Sequence, residues 1–164
     1  MNPPTSITVK VAALEAASGD AELVTLGLGS CVAIILHDPV AVVGGMAHVL
    51  LPSRSLSTRG PLNEAKFPET AVPVLVERMT TLGAHARRMT ARLVGGASMF
   101  ANLSPTGAVQ MGERNVVASR QALAALGIPV VAESTGGTMG RSVRLRVADG
   151  SVLVRTLTDG ERPL

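Results

Sequence analysis

Two apolar runs joined by a short polar turn constrain this chain most. Cys31 to Leu36 is continuous and rich in branched residues, and Ala41 to Leu51 follows after His37-Asp38-Pro39. The first run is far shorter than the roughly 18 residues a membrane-spanning helix needs. Branched residues favour extended backbone, and Gly27-Leu28-Gly29-Ser30 on one side and Asp38-Pro39 on the other are turn formers. The first run therefore reads as a buried strand. The second reads as a strand with a bulge or a close backbone approach at Gly44-Gly45, and the two together form a hairpin. At 164 residues, 46% hydrophobic and 16% charged, the chain has the size of one domain and ample material for its core.

Other segments supply the cover. Ile7, Val9 and Val11 alternate with Thr8 and Lys10, the two-residue period of a half-buried strand. Residues 53–66 shift to Ser, Arg, Gly, Pro and Asn and read as a mobile surface loop. Val72, Leu75, Val76, Met79 and Leu82 then recur at helical spacing up to Gly83. Proline is tolerated only in a first turn, so Pro73 favours Thr70 over Phe67 as the N-cap. Ala91 to Val94 reads as a strand entering Gly95-Gly96, and Glu113 to Leu126 as a second helix ended by Gly127. Three short strands are expected at 128–132, 143–147 and 152–157, with Arg144 and Arg146 on a solvated face of the middle one. The sum is a single α+β domain over residues 1–164, a mainly antiparallel β-sheet of six or more strands packed with two to three helices.

Composition excludes several functions. The formal charge is +3, but the 15 basic residues are scattered, and Phe67 and Phe100 are the only aromatics. A base-stacking platform cannot be built from these, so no nucleic-acid partner is expected. The opening MNPPTSITVK lacks a basic segment followed by an apolar one, and the single cysteine excludes an intrachain disulfide. A reducing cytoplasm is the expected location.

That cysteine, Cys31, follows a Gly-x-Gly-Ser turn and opens a strand, where backbone N–H groups are near for an oxyanion. Composition alone also allows a small buried filler. A free thiol near pKa 8.5 is only a few per cent thiolate at neutral pH, so a nucleophilic role needs a base. His37 in the turn and His85 after the helix stop read as exposed, whereas His48 lies inside an apolar strand. With residues 38–41 as a four-residue loop, His37 pairs with Val42 and Cys31 lies directly across from His48. Thr25 and Ser30 are the nearest hydroxyls, and spacing does not choose between them as a third member. No metal-ligand spacing and no complete phosphate or dinucleotide loop is present, so neither metal nor cofactor is expected.

Several ordered motifs coincide with one family. Thr25-Leu26-Gly27-Leu28-Gly29-Ser30-Cys31-Val32, then Asp38-Pro39, Gly44-Gly45-Met46-Ala47-His48 and Leu51-Pro52 resemble the CheD family of chemoreceptor glutamine deamidases. The resemblance continues through Gly95-Gly96-Ala97-Ser98-Met99-Phe100, Gly112-Glu113-Arg114-Asn115, Thr135-Gly136-Gly137 and Arg141-Ser142-Val143. It implies a cysteine-dependent amidohydrolase with Cys31 as nucleophile, His48 as base and Thr25 as third member. It also implies a sandwich similar to the catalytic domain of cytotoxic necrotizing factor toxins. The implied partners are the cytoplasmic helices of methyl-accepting chemoreceptors and a CheC phosphatase. A non-catalytic regulatory module binding those partners is the alternative.

Overall fold

The computed structural model describes residues 2–57, 59–99 and 110–164, so Phe100 and the rest of 100–109 lie outside the described residues. Two five-stranded sheets stack face to face. One has the order β1 (Thr5–Thr8), β3 (Ala21–Leu28), β8 (Arg141–Arg146), β9 (Val152–Thr156), β10 (Gly160–Pro163). The other has the order β2 (Leu14–Ser18), β5 (Val43–Val49), β4 (Val32–Asp38), β6 (Thr90–Gly95), β7 (Val130–Thr135). The β1–β3 and β6–β7 pairs are parallel, and the remaining neighbours are antiparallel. The α+β expectation and the implied sandwich hold, with the strands divided between two sheets where the pattern alone suggests one.

Two helices, α1 (Pro68–Thr81) and α2 (Met111–Ala125), cover the outer face of the second sheet. This layering explains the apolar runs. Every residue of β4 and β5 is buried. Val32, Ile34, Leu36 and Ala47 join Leu75, Met79 and Leu123 beneath the helices, while Ala33, Ile35 and Met46 join Leu23, Val143 and Leu145 between the sheets. A strand buried on both faces has no polar side to alternate with.

Gly44 and Gly45 mark close approaches rather than a bulge, because the β4–β5 ladder runs through them without a shift. A Cβ on Gly44 would come within 2.8 Å of Leu145, between the sheets, and one on Gly45 within 2.7 Å of Leu75 and Met79 of α1. One glycine admits the facing sheet and its neighbour admits the helix.

Three local expectations are corrected. The first strand stops at Thr8, and the chain turns where Ala12 takes φ 56°, leaving Val11 exposed. Phe67, not Thr70, is the N-cap of α1, because Pro68 has the preset φ suited to the first helical position. Thr70 instead donates its hydroxyl to the Glu64 carbonyl at 2.5 Å. His37 is buried, with Nε2 2.8 Å from the Val147 carbonyl oxygen and Gly150 against its ring, while His85 is exposed as expected. The 53–66 segment contains two 3-10 turns, Arg54–Leu56 and Glu64–Lys66, and the Lys66 carbonyl accepts from the N–H groups of Leu50 and Leu51.

Candidate active site

Thr25 and His48 meet between the sheets. Along β3, Ala21, Leu23 and Thr25 are buried in alternation until a step of three residues, from Thr25 to Leu28, meets a step of two, from Val143 to Arg141, on β8. Gly27 takes φ 66° in this bulge, which ends the alternation and turns Leu26 outward. Thr25 thus points inward between the sheets, as does Leu28 past the bulge, before the chain crosses to the second sheet at Gly29-Ser30.

His48 is fully buried, and its Nδ1 lies 2.7 Å from Thr25 Oγ1. Thr25 Oγ1 donates to the Val9 carbonyl oxygen at 2.6 Å. A hydroxyl has one hydrogen, and here Val9 receives it, so toward His48 the oxygen can only accept. The imidazole proton therefore sits on Nδ1, leaving Nε2 as a bare lone pair. That nitrogen is buried and has no hydrogen-bond partner among the described residues. Burial also pushes the His48 pKa below its ordinary value, which keeps the ring neutral and basic at Nε2.

Cys31 is half-buried at the entrance to β4, packed against the cluster between the sheets. Its carbonyl accepts from Gly96 N–H at 2.8 Å, and the Gly29 carbonyl accepts from Ala97 N–H at 2.8 Å. Gly95, at φ 117°, passes so close to the Cys31 carbonyl that any Cβ would collide with it.

The direct opposition of Cys31 and His48 is corrected. His48 faces Ala33, and the ladder ends with Val32 opposite Val49. Asp38 causes the difference: its Oδ1 accepts from Val40 N–H at 2.9 Å and Ala41 N–H at 3.2 Å, which brings Asp38 into the ladder opposite Val43 and makes 39–42 the loop. The shift amounts to two residues, so side-chain parity survives. Cys31 lies two residues before Ala33, just outside the ladder, and packs against the cluster between the sheets, on the side that His48 faces.

Burial raises the Cys31 pKa, outweighing a backbone hydrogen bond that lowers it. Burial thus disfavours the charged form of both groups. Of the two hydroxyls left open by spacing, Thr25 is the one bonded to His48. Ser30 stands in the turn, its carbonyl held by Asn115 Nδ2 at 2.8 Å. Among the described residues, no three His, Cys, Asp or Glu side chains gather closely enough to hold a metal ion.

Beside the bulge lies an open groove of about 590 Å³, lined in part by Leu26, Met99, Met139, Arg141 and Leu157. Leu26 is 63% exposed and Leu157 fully so. Arg141 donates from Nη1 to the Gly95 carbonyl at 3.2 Å, which links the groove floor to the Cys31 turn. Exposed apolar side chains gathered in this way mark a contact surface.

A family profile described as CheD chemotactic sensory transduction matches residues 50–156. The chain belongs to the CheD family. A probable chemoreceptor glutamine deamidase CheD of Caldanaerobacter subterraneus subsp. tengcongensis is 44% identical over 139 residues, 84% of this chain and 85% of its own. The chemoreceptor glutamine deamidase CheD of Thermotoga maritima is 45% identical over 140 residues, 85% of each chain. Probable CheD 3 of Geobacter sulfurreducens is 42% identical over 158 residues, 96% of each. In fold, the chain is similar to the Neisseria meningitidis protein NMB0706 of the DUF152 family. That likeness has a TM-score of 0.51 at 11% identity, over 82% of this chain and 65% of that one.

The CheD profile match begins beyond Thr25, Cys31 and His48, so their arrangement rests on the geometry above. Two contributors to the site escaped the sequence. The Val9 carbonyl is backbone and leaves no residue-type signal, although it decides the imidazole tautomer. Asn115 reaches Ser30 across 85 residues of chain, a contact no local pattern announces.

Proposed function

We propose that this CheD-family chain is a cysteine-dependent protein-glutamine deamidase acting on chemoreceptors, with Cys31, His48 and Thr25 as its triad. The observation that carries this reading is His48. Its Nδ1–H is fixed by Thr25, its Nε2 has no partner among the described residues, and Cys31 packs on the same side of the sheet. In the first step the Cys31 proton passes to His48 Nε2, and Sγ bonds to the glutamine side-chain carbonyl carbon. Backbone N–H groups of the Gly29-Ser30-Cys31 turn hold the oxyanion. The C–N bond then breaks, and ammonia leaves with the proton from Nε2. Water gives a proton to the same nitrogen as it attacks the thioester, and the thiol is restored as glutamate departs. Thr25 holds the ring through both halves.

The relatives' names supply the substrate class, chemoreceptors. The groove beside Leu26 is the surface on which a receptor's cytoplasmic helix would lie, its apolar stripe on Met139 and Leu157. A CheC-type phosphatase is a second partner in this reading. No helix among the described residues is long and apolar enough to cross a membrane, and the proposed substrate places the work in the cytoplasm. The test is ammonia release from a receptor cytoplasmic fragment, together with a mass gain of about one dalton per glutamine converted. Wild type should give both, and Cys31→Ala and His48→Ala neither. Receptor binding without ammonia release from wild type would make the chain a binding module instead.

A further inference from the structure

We infer that Asn115 is a positioning residue that sets the spacing between Cys31 and His48, an inference resting on the triad proposed above. The β4–β5 ladder ends at Val32 and Val49. Beyond it the chains part: the Cys31 carbonyl is taken by Gly96 N–H, and Leu50 N–H by the Lys66 carbonyl. The two catalytic side chains stand on opposite sides of this opening, one on the Ser30-Cys31 turn and one on β5.

One amide closes the opening. Asn115 Nδ2 donates to the Ser30 carbonyl, next to the nucleophile, at 2.8 Å, and to the Leu50 carbonyl, two residues past the base, at 3.2 Å. Both partners are acceptors, so only the NH2 end of the side chain can face them, and its two hydrogens serve one carbonyl each. No other side chain this short offers two N–H donors.

The rest of α2 delivers this group. Gly112 lies with the space for its Cβ filled by the Gly96 and Ala97 carbonyls, at 2.5 and 2.6 Å, so the helix can approach only without a side chain there. Asn115 follows one turn later, fully buried, and its own carbonyl accepts from Ser119 Oγ at 2.7 Å. Its Oδ1 is buried and has no hydrogen-bond partner among the described residues. An unpaired buried acceptor is destabilising, and the fold retains it alongside the two donated bonds. A displacement of about 1 Å between reacting groups can cost on the order of 100-fold in rate. The clamp therefore bears on proton transfer rather than on substrate affinity.

The experiment measures kcat and KM for receptor-fragment deamidation, and the pH profile of Cys31 alkylation by iodoacetamide, in wild type, Asn115→Ala, Asn115→Asp, Asn115→Ser and Ser119→Ala, each checked by thermal melting. Asn115→Ala and Asn115→Asp should lower kcat by about tenfold or more with KM within about twofold, and should remove the part of the alkylation profile that depends on His48. Asn115→Ser keeps one donor and should fall between. Ser119→Ala loosens the same helical turn without touching the clamp and should keep the wild-type profile. Folded Asn115 variants with wild-type kcat and profile would overturn the inference, as would an equal loss in Ser119→Ala. If Asn115→Ala fails to fold, Asn115→Ser decides: a wild-type profile overturns the inference and an intermediate one supports it. Absence of deamidation in wild type would defeat the triad reading, while the alkylation profiles would still test the clamp.

Discussion

Replacing Thr25 with valine removes one hydroxyl from a site where shape is otherwise conserved. Two hydrogen bonds vanish, the 2.6 Å bond to Val9 and the 2.7 Å bond from His48. Both Thr25 and His48 are buried, so water does not replace them readily. A buried donor or acceptor left unpaired costs about 1–3 kcal/mol, which puts the stability loss near 3 kcal/mol. The kinetic consequence is separate. The imidazole can relieve its orphaned Nδ1–H by carrying the proton on Nε2 instead, and that tautomer has no lone pair facing the thiol. A bond worth about 1.5 kcal/mol holds the tautomer ratio by roughly tenfold, and loss of ring orientation adds to this, so kcat should fall about 10- to 100-fold. Thr25→Ser keeps one hydrogen to donate and lone pairs to accept, and should stay within about threefold of wild type. The assay is ammonia release well below the melting temperature of each variant, with circular dichroism to show that it is folded. A folded Thr25→Val protein within twofold of wild-type kcat would refute the orienting role and the tautomer argument together.

Burial lowers the His48 pKa, so the acid limb of kcat/KM should fall below the ordinary imidazole value of about 6.5. Between the folded pKa and that value the unfolded chain binds the extra proton. Stability therefore drops as pH falls through this window, and His48→Gln should flatten the slope in chemical denaturation. Asp38 is fully buried, and burial alone would raise its pKa, but Arg88 and the N–H groups of His85, Ala41 and Val40 outweigh that and hold it well below the carboxylate range. Its contribution is present above the unfolded pKa near 3.9 and is lost as pH falls through the folded one; Asp38→Asn should thus cost about 2–3 kcal/mol at neutral pH, with a narrowing gap to wild type in acid. Gly95→Ala forces a Cβ into the Cys31 carbonyl at a φ that suits glycine, and should lower stability by more than about 2 kcal/mol and slow Cys31 alkylation in the fraction that folds.

What the sequence revealed depended on whether the cause was local. The apolar runs of β4 and β5 were legible because both faces of these strands are covered, by helices on one side and a sheet on the other. The Cys31 and His48 pairing was legible only to parity. Its register turns on the Asp38 carboxylate accepting two loop N–H groups, a choice between neighbouring turns that residue types alone leave open. β3 leaves little periodic signal because its alternation breaks at the bulge, between the inward Thr25 and Leu28. His37 looks exposed in the sequence because its place near a turn is visible, whereas its partner, the Val147 carbonyl, is 110 residues away. The Thr70 expectation fails for a different reason, since Pro68 and Pro73, five residues apart, compete for one helix start and Pro68 prevails, leaving Pro73 inside the helix.

The most direct measurement is rapid acid quenching of the protein with a glutamine-bearing receptor fragment, followed by peptide mapping for a thioester. A hydroxylamine-sensitive adduct on the peptide containing Cys31, formed by wild type and absent from Cys31→Ala, is the expected result. Deamidation at equal rates by wild type and Cys31→Ala, with no adduct on either, would contradict Cys31 as the nucleophile.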